Sequence, residues 1–241
     1  MKDYCRTALA YCRRVVSGKQ VACEFVKLAC QRQIDDLARW KGTKSPYVFD
    51  RKKANRVCAL CEYFRHIKGP LAGERIVLEP WQVFILTTVF GWVDQHGNRR
   101  FRQVYVEVPR GNGKSALSSA VALIMLMADG EKGAEVYSLA TTADQARIVF
   151  DVSKAMARKS PDLLERVGAR VGAHAITVES ESSVFKPLAS DSSSLDGLNI
   201  HFACVDELHA HKTRDLYDVV ETALGKRLQP LLWTITTAGF D

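Results

Sequence analysis

No stretch of this chain approaches the roughly 18 consecutive apolar residues of a membrane-spanning helix. The longest apolar run, residues 121–128, suits a buried helix instead. The opening MKDYCRTALAYCRR has no apolar core followed by a small-residue cleavage site, so no secretory signal is read there. Without an export signal, the seven cysteines, an odd number, read as reduced thiols of a cytosolic protein rather than a disulfide framework. Cys58-Ala-Leu-Cys61 has no second pair and no matched Cys/His partner at usable spacing, which argues against a four-ligand zinc site and for core thiols on a helix. Proline is missing before Pro46, leaving the front of the chain open to helix. There is no internal repeat, and the one biased tract is the polar SDSSSLDGLN at 190–199.

What is present is ordinary for a soluble globular chain: 47% hydrophobic and 25% charged residues. The 241 residues suffice for one α/β domain with an appended helical piece, or for two small domains. The net charge of +7 is unevenly spread. Residues 1–110 hold 21 Lys/Arg against 10 Asp/Glu, whereas residues 111–241 hold 13 against 17. A basic front half suits contact with a polyanion such as nucleic acid, or is simply a solvated helical surface.

The chain is organised around VPRGNGKS, residues 108–115. An alternating apolar run (104–108) leads into it and a helix-like segment (116–129) leads out. Strand, glycine loop with Lys-Ser, helix is the arrangement that cradles a nucleotide triphosphate. The N–H groups of Gly111, Asn112, Gly113 and Lys114 can turn onto phosphate oxygens because glycine permits the φ values required. Lys114 would reach the β- and γ-phosphates, and the Ser115 hydroxyl would hold Mg2+. The full pattern places a further glycine at 108, where this chain has Val108.

Residues 1–43 read as helix, broken at Ser17-Gly18, with Cys5, Ala8 and Cys12 on one apolar stripe and Cys23, Val26, Cys30 and Ile34 on another. TKSPY is a connector, and a helix capped by Asp50 spans 50–67. LEPWQVFILTTVFGWV (78–93) reads as a core helix with Pro80 in its first turn. Gln82 there could offer an amide donor and acceptor to an adenine edge. DQHGNRR (94–100) is a hairpin-like turn before the strand 101–108. Beyond the loop come a strand at 135–140, a helix at 143–159 capped by Thr141 or Thr142 and stopped by Ser160-Pro161, and a hairpin at 175–188.

Residues 200–205 form an apolar strand ending in Asp206-Glu207, about 90 residues after the glycine loop. A carboxylate at the end of a core strand can hold the magnesium shell, and an adjacent glutamate can deprotonate an attacking water. His209 and His211, alternating after a strand, read as polar loop residues rather than metal ligands. A helix runs to Leu224 with Gly225 as C-cap. The last strand, 231–235, ends in Thr236-Thr237-Ala238-Gly239, and its threonines lie where a strand end would meet a γ-phosphate.

Together EPWQ, VPRGNGKS, VDELHAH and ITTAG, in this order, resemble the ATPase domain of large terminase subunits of tailed bacteriophages, over residues 70–241 and less securely in front. In that family the phosphate loop often lacks its first glycine and carries a basic residue before Gly-x-Gly-Lys, as Arg110 does here. The resemblance implies an ASCE-type P-loop ATPase, α/β, with a mostly parallel central sheet flanked by helices and the Asp-Glu strand one strand removed from the phosphate-loop strand. It implies an N-terminal helical segment over 1–68 and the ATPase domain over 69–241.

It implies ATP and Mg2+ as cofactors. Lys114, Arg110 and Glu207 are then catalytic, and Gln82, Arg110, Gly111, Asn112, Gly113, Lys114 and Ser115 bind nucleotide. Ser115 and Asp206 hold the metal, and Thr236, Thr237, Ala238 and Gly239 couple hydrolysis to motion. A trans-acting arginine is expected, with Arg214 and Arg227 as weak candidates. Implied partners are double-stranded DNA, a portal, a small terminase subunit and further copies in a ring, in the host cytoplasm. The chain stops at Asp241, just past the coupling segment, so it reads as an ATPase domain or fragment from which no DNA cutting is expected.

The runner-up is the first motor domain of a superfamily 2 helicase, whose Asp-Glu-x-His box Asp206 to His209 also matches. A third class, a non-enzymatic basic DNA-binding module, predicts no ATP turnover.

Overall fold

The computed structural model describes residues 2–40, 45–189, 197–210 and 214–237. By contacts the chain forms two compact units interleaved in sequence, 1–62 with 77–101, and 63–76 with 102–241.

The first unit is mainly helical. In α1 (Tyr4–Val16), Asp3 caps the first turn by accepting from Arg6 N–H, and Tyr4, Cys5, Ala8, Cys12 and Val15 form the buried stripe. It packs against α2 (Glu24–Arg39), across the break expected at Ser17-Gly18. The TKSPY connector proves to end in a strand. β1 (Tyr47–Phe49) pairs antiparallel with a partner beyond Gly91, and two paired triplets are too short to show a period.

α3 (Arg51–Tyr63) starts where Asp50 Oδ1 accepts from Lys52 and Lys53 N–H, and ends four residues before the expected 67. Cys58 and Cys61 are fully buried on it, and burial pushes both thiols up, as expected of core residues. α4 (Pro80–Gly91) opens with a Glu79–Gln82 capping box and is buried almost all round. It ends at Gly91, where an added Cβ would lie 2.5 Å from the Phe49 ring. β2 (Trp92–Asp94) then completes the ribbon with β1.

The second unit holds the sheet. Its elements are β3 (Gln103–Glu107), α5 (Lys114–Met127), β4 (Glu135–Ala140), α6 (Ala143–Arg158), α7 (Pro161–Val167), β5 (Ala169–Val171), β6 (Ile176–Val178), β7 (Ser183–Ala189), β8 (Ile200–Val205), α8 (Asp215–Leu224) and β9 (Leu231–Thr236). The strand order is β3-β9-β8-β4-β7-β6-β5. The first five run parallel, and β6 and β5 are added antiparallel. The Asp-Glu strand β8 is separated from the phosphate-loop strand β3 by β9 alone, as the α/β architecture expected here requires.

Helices cover both faces. Trp233 of β9 donates its indole N–H to Ser118 of α5, and Ser138 of β4 donates to Ala146 O of α6. The next residues along the strands, Leu139, Val205 and Leu232 among them, pack against Leu216, Val220 and Leu224 of α8. β8 and β9 are buried at every residue, which is why they read as nearly continuous apolar runs, interrupted only by His201, Thr234 and Thr236.

Three local expectations hold, each with a detail the sequence did not carry. α6 stops before Ser160-Pro161, and Pro161 then opens a further helix, α7. β6 and β7 form the expected antiparallel hairpin, and β7 also lies inside the sheet, parallel to β4. Gly225 is the C-cap of α8, with φ −61°.

Candidate functional site

Because β3, β9, β8 and β4 run parallel, their C-terminal ends come to one edge, where α/β sheets bind ligands. Glu107 of β3 is level with Thr236 of β9, and Val108 N–H continues that ladder to Thr236 O at 3.3 Å. Position 108 therefore lies in extended pairing and is not among the positive-φ residues, which is the physical reason a valine is tolerated there. Gly111 and Gly113 do take left-handed conformations, φ 83° and 74°. Gly113 is the N-cap of α5, so the loop delivers its backbone N–H groups and the helix N-terminus to the same place. Asn112 Nδ2 ties the loop down by donating to Pro109 O at 3.1 Å. Arg110 is exposed at its tip, and Ser115 is half-buried in the first turn of α5.

Lys114 is buried, 9% exposed. Its ammonium donates to Val108 O (2.9 Å), Pro109 O (3.4 Å) and Thr237 Oγ1 (3.2 Å). Thr237, just past β9, in turn donates to the Glu207 carboxylate at 3.0 and 3.1 Å. One hydroxyl thus bridges the loop lysine and the strand-end glutamate.

Asp206 directly follows β8 and is buried; its Oδ1 accepts the Glu207 N–H at 2.8 Å. Glu207 has φ 49°, one of two described non-glycine residues in left-handed backbone. Such a conformation costs on the order of 1–3 kcal/mol and persists only where the surroundings hold it. Here Thr237 holds the carboxylate on one side, and His209 Nδ1 lies 3.2 Å from its Oε2. The same Nδ1 is 2.7 Å from Thr236 Oγ1. His209 is the site residue that sequence reasoning passed over as a polar loop residue. The available signal was its place in Asp206-Glu207-x-His209.

Burial first, and the neighbouring Glu207 charge second, push the Asp206 carboxyl up to about 6. A folded-state value above the usual carboxylate range means that the protonated form is favoured. The associated stability is complete below about pH 4 and is lost as pH rises through about 6. Asp206→Asn is therefore expected to stabilise the nucleotide-free protein at pH 8 by on the order of 2 kcal/mol. Melting temperature measured against pH should converge with wild type below pH 4 and separate above 6. Parallel curves would refute the buried-charge account.

The donors fit a small hard cation that keeps its own waters and takes few protein ligands: the Ser115 hydroxyl and the Asp206 carboxylate. Among the described residues no group of three or more His, Cys, Asp or Glu is placed to hold a metal by itself, so substrate oxygens would complete the shell.

Other expected residues fall into place unevenly. Gln82 lies in the first unit, where its Oε1 accepts the Glu79 N–H at 2.9 Å and leaves the amide nitrogen as its donor. Arg227 donates to Asn199 O, Glu131 and Gly133 O within its own chain, with its side chain 7% exposed. A guanidinium so committed is a poor trans arginine. Arg214 is 78% exposed and makes only an i,i+4 pair with Asp218 among its described ion pairs. Ala238, Gly239, His211 and most of the 190–199 tract lie outside the described residues.

The family described as terminase large subunit, ATPase domain, matches residues 80–241, more than half of the chain. The large terminase subunit of Enterobacteria phage HK97 is 26% identical over 189 residues, covering 77% of this chain and 36% of that protein. Protein YmfN of Escherichia coli K12 is 52% identical over 46 residues, 19% of this chain and 10% of that protein. The crystal structure of the HK97 bacteriophage large terminase superposes with a TM-score of 0.65 at 24% identity, over 76% of this chain and 37% of that one. The chain spans about a third of the length of the HK97 subunit.

Proposed function

This chain belongs to the terminase large subunit ATPase-domain family, and from that premise we propose that it hydrolyses ATP to drive double-stranded viral DNA into a procapsid. The observation that carries the reading is the hydrogen-bonded chain Lys114–Thr237–Glu207, which joins the ends of three segments at one sheet edge.

On ATP binding, Lys114 leaves Val108 O and Thr237 for the β- and γ-phosphates, joined by Arg110 and the N–H groups of Gly111, Asn112 and Gly113. Glu207 takes a proton from a water. The water oxygen forms its bond to the γ-phosphorus as the bond from that phosphorus to the bridging oxygen breaks, and the electron pair leaves on ADP. Ser115 and Asp206 would hold Mg2+, which neutralises charge on the phosphate oxygens. Gln82 offers its amide to adenine.

When phosphate departs, Lys114 returns to Thr237, and the segment from Thr236 through Gly239 transmits the change. The basic residues of the front half grip DNA. Arg214 is the remaining candidate for an arginine supplied to a neighbouring copy in a ring. A portal and a small terminase subunit are the further partners, in the bacterial host's cytoplasm. The helicase alternative recedes because the matching family is the terminase one.

ATP binding tests the reading better than turnover, because a trans arginine can contribute about 10³ to 10⁵ in rate. A fluorescent ATP analogue is expected to bind with magnesium present and to be displaced by ATP and ADP. No binding at millimolar nucleotide would reject the reading.

A further inference from the structure

We propose that His209 is a positioning residue for hydrolysis, one that ties the Glu207 carboxylate to strand β9 through Thr236; this rests on the reading of Glu207 as the base. Its imidazole Nδ1 stands between two oxygens, Glu207 Oε2 at 3.2 Å and Thr236 Oγ1 at 2.7 Å. The Thr236 contact is a hydrogen bond, and a proton on Nδ1 would face the Glu207 carboxylate as well, since a carboxylate only accepts. The backbone N–H of His209 also points at Thr236 Oγ1, at 3.4 Å. Thr236 is buried at the end of β9, so the oxygen that anchors His209 belongs to the rigid sheet.

Two holds on Glu207 exist, and they differ in what else they touch. Thr237 is shared with Lys114, so it is disturbed whenever the lysine turns to phosphate. The His209 hold has no described link to Lys114 and persists through that exchange. It keeps the left-handed Glu207 backbone aimed while the water is in place. It also makes the base sensitive to β9, whose continuation is the coupling segment.

The imidazole is about half exposed, with a side-chain accessibility of 52%. Its removal opens no core cavity, so variants at this position should fold. His209→Ala in the full chain is expected to lower kcat by about 10- to 100-fold while KM for ATP stays within about 3-fold. His209→Asn, whose side-chain N–H stands where Nδ1–H does, should recover much of that rate, and His209→Gln should not. For a chain that turns over slowly, affinity for ADP–aluminium fluoride should fall about 10-fold in His209→Ala with ATP affinity unchanged. On a Glu207→Gln background, His209→Ala should cost nothing further, since the group it aims is gone.

Wild-type kcat and fluoride-complex affinity in His209→Ala, with Glu207→Gln inactive, would overturn this inference and leave the base in place. Equal losses in the alanine and asparagine variants, accompanied by weaker ATP binding or a lower melting temperature, would also overturn it, by showing a structural role. Hydrolysis surviving in Glu207→Gln would remove the base reading itself.

Discussion

Glu207→Gln is expected to leave ATP bound and to slow its hydrolysis by about 10²- to 10⁴-fold, the usual worth of a positioned general base. Glutamine matches glutamate in size, still accepts from Thr237 and still stands beside His209 Nδ1, so the side chain keeps its place. What disappears is the capacity to take a proton from water. It also removes the neighbouring charge that, after burial, pushes the Asp206 carboxyl up, so that carboxyl should ionise more readily. Single-turnover phosphate release measured beside nucleotide affinity separates the two effects. Unchanged affinity with lost turnover is the expected pattern, and hydrolysis at the wild-type rate would place the base elsewhere.

Lys114→Ala should act on the other half of the reaction, weakening ATP binding by about 10²- to 10³-fold. The estimate follows from losing one to two charge-assisted hydrogen bonds to phosphate, each worth about 1.5–3 kcal/mol. In the nucleotide-free protein the ammonium has three partners, Val108 O, Pro109 O and Thr237 Oγ1. Thr237 keeps Glu207 as acceptor, and the loop carbonyls border an exposed turn that water reaches, so the fold should lose only about 1 kcal/mol. Lys114 also opposes the upward push on Asp206, so its removal should make that carboxyl harder still to ionise. Isothermal titration with ATP and a melting curve on the same sample check both parts. Wild-type affinity would sink the phosphate-loop assignment.

The glycine loop and the Asp-Glu strand were legible because their signals are local. Gly111 and Gly113 need φ values that other residues resist, and β8 is apolar at five of six positions through burial on both faces. The β1–β2 ribbon was not legible, because three-residue strands carry too little pattern. Gln82 was read only as an adenine contact, yet its Glu79 partner three residues earlier spells a capping box. Arg227 is only a weak trans-arginine candidate in sequence, and its acceptors Glu131, Gly133 and Asn199 lie far along the chain.

The sequence by itself marked the side chains proposed to bind and cleave a triphosphate: a lysine and serine after two glycines, an aspartate and glutamate closing an apolar strand, and a threonine pair closing another. These follow from backbone conformation and burial period, which act over a few residues. Only the tertiary structure decided that Thr237 bridges Lys114 to Glu207, that His209 anchors on Thr236, and that Arg227 is held at home. Those pairs are 123, 30, 27 and 28 residues apart along the chain. Strand order sets which ends meet: β9 lies between β3 and β8, so its threonines reach both the loop and the acidic strand end.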